Sequence, residues 1–359
     1  MKGAGSGRVG RALRYDIIIA SCFAAAMALL PLANMSNYLV GQFALFFLWS
    51  CVVIQWNLVF GVAGIMSLGQ VAIFAFGAYA AAMIATYTSA PFWLAFLMGA
   101  PGGVIFSLLL GAVTLRLRGE YVAIVTLAIA ILFAMLIVND VECFRRVDLI
   151  CYPLTGGTRG LMGYGDFHWK ALLGFKHRHY GDYYLTLTIM IASLVVSLLV
   201  IHGPFGLAFR AIRDGETYAC ARGIYFGRIQ LIVFALSAVM TGLAGGAYAG
   251  VVKTVGTSVL DIDLLAFLLS MMIVGGRGST WGPIIGSAAL MIADYYFQSM
   301  GGWRTGALSA ITILFVVLYP GGLAGALRSF SSLVSSLAER YLKRVKPNAL
   351  GSSQAVQRG

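Results

Sequence analysis

Apolar residues run through this chain in blocks of near-membrane length, separated by short polar connections. A spanning helix needs about 20 mostly apolar residues. Ten blocks meet or approach that length: residues 16–33, 38–60, 64–87, 92–115, 121–138, 184–202, 229–251, 262–275, 283–300 and 305–323. The eighth is short and ends in glycine, which predicts a broken or tilted span. The first follows a basic, glycine-rich start, "MKGAGSGRVGRALRY". It is a full span long and lacks a small-residue cleavage site, so it reads as a retained span, not a signal peptide. The longest connection, 139–183, leaves no room for a soluble domain. The pattern predicts an all-α membrane protein, a polytopic bundle of about ten transmembrane helices.

Composition agrees. The chain is 60% hydrophobic and 11% charged, with mean hydropathy +0.88; soluble domains are about 45–50% apolar and about 25% charged. The net charge of +12 does not point to nucleic acid, because the basic residues sit between spans, where orientation rules place them. With the N-terminus in the cytoplasm, 17 of the 25 Lys and Arg fall on the cytoplasmic side. That orientation makes both termini and the 203–228 loop cytoplasmic and exposes the 139–183 loop to the outside. Five cysteines are too few and scattered for a disulfide scaffold. Two of them, in "CFRRVDLIC", lie in the outer loop, where disulfides persist; Cys143 and Cys151 are expected to pair. Closing so short a loop contributes at most about 2–3 kcal/mol in the chain-entropy model. Cys22 and Cys51 fall inside spans and Cys220 is cytoplasmic.

The 203–228 loop, "GPFGLAFRAIRDGETYACARGIYFGR", concentrates charge in a chain that avoids it. Leu207, Ala208, Ala211 and Ile212 form a small apolar stripe at helical spacing. Arg210 and Asp214 are four apart and Arg213 and Glu216 three apart, so both couples can pair on a helix. Gly215 suits a left-handed helix C-cap. A second short helix is expected from Glu216 to Arg222, ending at Gly223. Two short helices joined by glycine make a rigid knuckle; a surface helix that only satisfies the orientation rule fits the same residues.

Glycine also clusters in "GVAGIMSLGQVAIFAFGAY", with Gly61, Gly64, Gly69 and Gly77, and in "GGRGSTWGPIIG", with Gly275, Gly276, Gly278, Gly282, Gly286 and Pro283. Paired glycine-interrupted stretches can mark a transport pathway, or simply close helix packing. Both begin on the cytoplasmic side, which is not the pattern of a simple inverted repeat. Asp294 is the acid placed well inside a span, where it needs a polar cavity or a partner. No phosphate-cradling G-x-x-x-x-G-K-[ST], H-E-x-x-H or G-x-S-x-G motif occurs. "KHRH", with His168 nearby, is too loosely spaced for a metal site. The residues describe a conduit whose energy source lies elsewhere. After the last span, 327–346 predicts an amphipathic helix on the membrane surface. Its apolar face is Leu327, Phe330, Val334, Leu337, Tyr341 and Val345, and Arg340, Lys343, Arg344 and Lys346 can meet anionic lipid. A small, polar tail predicted to be disordered follows from Asn348. The organisation read is a tail over 1–14, a permease domain over 15–325 and a cytoplasmic C-terminal segment over 326–359.

Ordered motifs across nearly the whole chain carry a resemblance. "WNLVFGVAGIMSLGQVAIFAFGAYAAAM", "LRLRGEYVAIVTLA", "LTGGTRGL", "GLAFRAIRDGETYACARGI", "LSAVMTGLAGGAYA", "IVGGRGSTWGPIIGSAAL" and "LYPGGLAG" resemble, in order, the landmarks of the LivM family, permease subunits of branched-chain amino acid ABC importers. The resemblance implies a non-enzymatic permease of a bacterial inner membrane. It implies a homologous second permease, ABC ATPase subunits that use ATP and Mg, and a periplasmic substrate-binding protein as partners. It makes 203–228 the ATPase-coupling loop, with Gly206, Arg210, Ala211, Arg213, Asp214, Glu216 and Gly223 as its residues. Where the family's loop reads E-A-A with glycine six residues after the Glu, Glu216 is followed here by Thr217 and Tyr218, with Gly223 seven on; that leaves the ATPase contact differently arranged. Substrate would pass between the two permeases, past Ser67, Gly69 and Gln70, with Asp294 a further candidate; Ser67 and Gln70 equally suit helix–helix hydrogen bonding. Urea, short-amide or aromatic-acid permeases of the same family are the alternative, and a secondary transporter the alternative of another class.

Overall fold

The computed structural model describes residues 4–33, 35–88, 90–147, 150–319 and 321–326. The 327–346 segment and the tail after it therefore lie outside the described residues. The chain folds as α1 (Ala4–Leu29), α2 (Asn37–Asn57), α3 (Gln70–Tyr87), α4 (Phe92–Leu97), α5 (Gly99–Thr114), α6 (Glu120–Val138), α7 (Trp169–His202), α8 (Pro204–Asp214), α9 (Glu216–Ala221), α10 (Phe226–Val252), α11 (Ile262–Gly275), α12 (Gly282–Phe297) and α13 (Arg304–Leu318). A short hairpin decorates the connection after α6, and a second two-stranded ladder ties that connection to the end of α10. Strand β1 (Arg145–Val147) pairs with β2 (Ile150–Tyr152), and β3 (Leu161–Met162) with β4 (Thr254–Val255), both antiparallel.

Each of the ten expected spans contains helix, with instructive differences. Among the described residues, seven segments are long and apolar enough to cross a membrane. One of them, Gly282–Ala326, is 45 residues long, far beyond a single crossing. It is interrupted at Gln298–Trp303, where Gly301 takes φ 55°, and Arg304 turns back to bond Asp294, so α12 and α13 form a helical hairpin. With α1 and the 14-residue α11, the ten-helix architecture is complete. The fourth span is broken between α4 and α5. The outer loop is shorter than expected, because α7 begins at Trp169, fifteen residues before the predicted boundary, and kinks at Gly174.

Burial ranks the helices. Every residue from Phe46 to Val59 is buried, so α2 is apolar all round and central. By contrast α6 turns Ile124, Leu132, Met135 and Leu136 outward, as a lipid-facing helix should. The helices α3, α5 and α10 cross at glycine: a Cβ on Gly77 would lie 2.5 Å from the Gly242 carbonyl oxygen, and one on Gly103 2.8 Å from Gly242 Cα. Only glycine permits that approach, and with no hydrophobic drive between helices in lipid, such contact is a main source of cohesion.

Candidate functional site

The 203–228 segment folds as the two-helix knuckle α8–α9, rooted on α7. Pro204 opens α8 at a position where its missing N–H costs nothing. The buried face of α8 is Gly206, Phe209 and Ile212; of the stripe read from the sequence Ile212 is buried, Ala208 and Ala211 are half-buried and Leu207 points outward. Gly206 lies so close to the Ile201 carbonyl that a side chain there would collide with it. Gly215 joins the helices, but at φ 178° it is extended, so the left-handed cap expected there is absent. The left-handed glycine is Gly223, at φ 84°, after α9.

Of the two pairings expected, Arg210–Asp214 is not formed, and Arg213–Glu216 involves a side chain outside those described. Arg210 reaches back to donate to the Ile201 carbonyl, capping the end of α7, and does not pair with Asp214. Arg213 takes Asp214 instead, Nε to Oδ1 at 3.2 Å, and its Nη1 donates to the Gly61 carbonyl at 3.1 Å. Adjacent helical residues seldom face each other; Asp214 is the last residue of α8, where the turn to Gly215 frees its carboxylate. Both guanidinium groups are thus anchored on this chain. Ala211 is half-buried, and the outer surface of the knuckle presents Phe205, Leu207 and Tyr218.

Beneath Arg213 the two glycine-rich stretches meet. Helix α2 runs into a π-helical turn, Leu58–Val62, a geometry frequent at functional positions. Residues 63–69 are then non-helical, so the third span starts as helix only at Gln70 and not at Gly64. Gly64 has φ 73°, and a Cβ there would lie 2.5 Å from Arg213 Cγ; glycine is required by both conformation and contact. Asn57 clasps the second stretch: its Nδ2 donates to the Ser279 carbonyl at 3.0 Å and its Oδ1 accepts from Gly278 N at 2.8 Å. The Arg277 guanidinium lies 5.9 Å from the centre of the Phe60 ring, within cation–π range.

Irregular backbone inside a membrane protein must be satisfied by protein or water. Here Trp56 Nε1 donates to the Ser67 carbonyl at 2.7 Å, Thr126 Oγ1 accepts from Leu68 N at 3.0 Å, and Ser67 Oγ accepts from Gly69 N. Gln70 Nε2 donates to Thr241 Oγ1 at 2.6 Å, on α10. Ser67, Gly69 and Gln70 are buried inside this chain. The sequence reading passed over Asn57 and Trp56. A polar Asn in the apolar run "VVIQWNLVF" was the available signal, since buried amides in spans need partners.

Asp294 lies in the last turn of α12, nearer a helix end than expected, and Arg304 binds it with two 2.6 Å hydrogen bonds. The pair borders a cavity of about 800 Å³ whose hydroxyl side chains include Ser270, Ser309 and Thr312. At the same end of the bundle, Lys253 Nζ meets Asp166 Oδ2 at 2.7 Å; this contact chiefly holds the Asp166 carboxyl below its ordinary range. Asp140 accepts from both Thr155 N and Thr155 Oγ1 at 2.6 Å, fixing the "LTGG" turn. Cys143 is disulfide-bonded, while Cys22, Cys51 and Cys220 carry free thiols. Among the described residues no group of three or more His, Cys, Asp or Glu is placed to hold a metal ion.

The profile of the family described as "Branched-chain amino acid transport system / permease component" matches residues 38–319. The chain is 28% identical over 297 residues to the high-affinity branched-chain amino acid transport system permease protein LivM of Salmonella typhimurium, covering 79% of this chain and 69% of that protein. It is 28% identical over 281 residues to LivM of Escherichia coli, covering 74% and 65%. The chain thus spans about two thirds of the length of these relatives. It is also 26% identical over 233 residues to the guanosine ABC transporter permease protein NupQ of Bacillus subtilis, covering 62% and 69%. No solved structure matches the chain. A ten-helix bundle with a two-helix knuckle seated on paired glycine breaks, matched by this profile over most of its length, belongs to the branched-chain amino acid ABC transporter permeases, which are transport proteins and not enzymes.

Proposed function

We propose that this chain imports branched-chain amino acids across a bacterial inner membrane, with both termini and the α8–α9 knuckle on the cytoplasmic side. The knuckle docks on separate ABC ATPase subunits, which bind and hydrolyse ATP with Mg. A homologous second permease completes the conduit, and a periplasmic binding protein delivers substrate to the opposite end. One observation carries the coupling role: Arg213, on the knuckle, donates to Gly61 in the π-helical turn that Asn57 and Phe60 tie to the second glycine stretch. Movement of α8 therefore reaches both breaks through one side chain. Arg210 and Arg213 act as anchors that make the knuckle move as one body with α7 and the breaks. The ATPase contact falls to the outward residues Leu207 and Tyr218, with Asp214, Glu216 and Gly223 setting the bend.

In the same reading Ser67, Gly69 and Gln70 shape the pathway from behind, by fixing where the unwound stretch ends, and Asp294 with Arg304 stands at its outer mouth. Cys143 pairs with Cys151, the one cysteine besides the three free thiols, and the bond holds the outer loop for the binding protein. The test of substrate is titration of the cognate binding protein with leucine, isoleucine, valine, urea, short amides, aromatic acids and guanosine. Saturable binding confined to the aliphatic amino acids is expected; preference for any other class overturns the assignment. Vanadate-sensitive uptake separates this reading from a secondary transporter.

A further inference from the structure

Helix α1 lies outside the stretch matched by the family profile, which begins at residue 38. It is peripheral: Ile17, Ile18 and Ile19 are exposed, and of its described side chains only Ala20 is buried. A lipid-facing helix needs no polar ties to its neighbours, yet α1 has them toward both ends. In its last turn, where carbonyls run out of helical partners, the Met27 carbonyl accepts from Tyr183 Oη at 2.6 Å and the Ala28 carbonyl from Tyr184 Oη at 3.2 Å. Both tyrosines belong to α7. Toward the knuckle, the tie is made by Asp16.

Asp16 bridges two other helices. Its Oδ1 accepts from Trp281 Nε1 at 3.1 Å, and its Oδ2 faces His202 Nε2 at 3.5 Å. His202 is the last residue of α7, and Gly203 with the knuckle follows directly. Its Nδ1 donates to the Leu198 carbonyl, one turn back, at 3.0 Å. That bond fixes the ring and aims Nε2 at Asp16. Trp281 is the N-cap residue of α12, inside the second glycine stretch, just past the Ser279 carbonyl that Asn57 holds. One carboxylate on α1 thus ties the root of the knuckle to the second glycine stretch. The His202 and Asp16 side chains are only 16% and 22% exposed, so losing one partner leaves the others sequestered with open polar atoms.

The knuckle reaches the first glycine stretch through Arg213 and Gly61. The Asp16 bridge is a separate path. It starts on α7 and not on α8, and it enters the second stretch at Trp281 and not through Asn57. Because α1 is fastened to α7 at two points along its length, the two helices move together, and the start of α12 is held to the pair. We propose that α1 is a strut of the coupling machinery and that Asp16 is its positioning residue, keeping the end of α7 and the start of α12 in register so that a push on the knuckle reaches the second glycine stretch. The proposal rests on the coupling reading of the knuckle and adds to it an element outside the matched family region.

The test uses the assembled transporter in proteoliposomes. Uptake of radiolabelled L-leucine, or of whichever class the binding-protein titration selects, is measured together with ATP hydrolysis. Asp16→Ala is expected to lower substrate moved per ATP at least about fivefold, the loss of a hydrogen bond to a charged group, with the ATPase subunits still bound. Trp281→Phe keeps an aromatic ring and loses the donor. It lowers the ratio in the same direction and stands in if Asp16→Ala fails to insert. The double variant is no worse than the more affected single one, because both changes delete one shared contact. Asp16→Glu keeps the carboxylate and recovers most of the lost coupling. A merely structural role would lower the melting temperature or the amount inserted and leave the ratio unchanged. An unchanged ratio, fully additive losses, or Asp16→Glu no better than Asp16→Ala overturns the strut. Arg213→Ala is measured alongside. If it uncouples while the Asp16 and Trp281 variants do not, the strut is wrong and the coupling reading stands. If Arg213→Ala leaves the ratio unchanged, the coupling reading falls and the strut with it.

Discussion

At the knuckle end the helices meet through backbone and small residues: Gly61 against Gly278, Gly64 against Arg213, Asn57 bridging to Gly278 and Ser279. At the opposite end they are tied by charge, Lys253 to Asp166 and Arg304 to Asp294. The first kind of contact has almost no slack; a displacement of a few tenths of an ångström must be shared by both partners. The second tolerates distance and is weakened by salt. The comparison teaches that close glycine contact is shared by both ends, Gly160 against Val255 at the outer one, while the Lys253–Asp166 and Arg304–Asp294 pairs add salt-sensitive ties there.

The largest effect is expected from breaking the stiff end. Gly61→Leu places a Cβ about 2.5 Å from Gly278 N, an overpacking that costs roughly 1–3 kcal/mol or more. The chain should still insert, because its apolar spans are unchanged, while substrate uptake falls to background in proteoliposomes. Next comes the outward face of the knuckle. Leu207 is 67% exposed, so Leu207→Asp leaves this chain's stability within about 0.5 kcal/mol but should reduce co-purification of the ATPase by about tenfold, the loss of a modest interface hot spot.

The salt-sensitive ties should be more forgiving. Asp166→Asn removes one partly exposed ion pair, worth about 1 kcal/mol or less. A small drop in melting temperature is expected, shrinking in high salt. The pH response has a definite sign. The Asp166 carboxyl is depressed in the folded state by its hydrogen bond to Lys253. Its contribution is therefore complete above the ordinary aspartate range of about 3.9 and is lost as pH falls through the lower folded value. Hydrogen exchange over Tyr164–Lys253 should be flat from neutral pH to about pH 5, once corrected for intrinsic rate, and should rise only below about pH 4.

Much of the fold was legible in the sequence, because membrane spans announce themselves by length and apolarity alone. The glycines of 61–77 signalled an interruption, but the extent of the break at 63–69 was not legible. "IMSLGQVAI" is as apolar as helix, and what unwinds it is tertiary: Trp56 and Thr126 hold its backbone from elsewhere in the chain, and Arg213 packs against Gly64 just before it. The two short helices of the knuckle were legible from local spacing. Their arginine partners were not, since both guanidinium groups found backbone carbonyls, which carry no sequence signature. The Asp166–Lys253 clasp joins residues 87 apart, and no helical spacing rule reaches that far. Asp294 was visible as an oddity; its partner Arg304, ten residues on, required knowing that the chain reverses at Gly301.

The coupling claim is tested most directly by the stoichiometry of Arg213→Ala in the assembled transporter. Removing this guanidinium deletes the hydrogen bond to Gly61 while leaving Leu207 and Tyr218 on the docking surface. Substrate imported and ATP hydrolysed are measured together in proteoliposomes. The account predicts ATPase subunits still bound and ATP hydrolysis largely retained, with substrate moved per ATP falling by at least about tenfold, as expected for a charge-assisted hydrogen bond of about 1.5–3 kcal/mol. An unchanged ratio of substrate to ATP would contradict it.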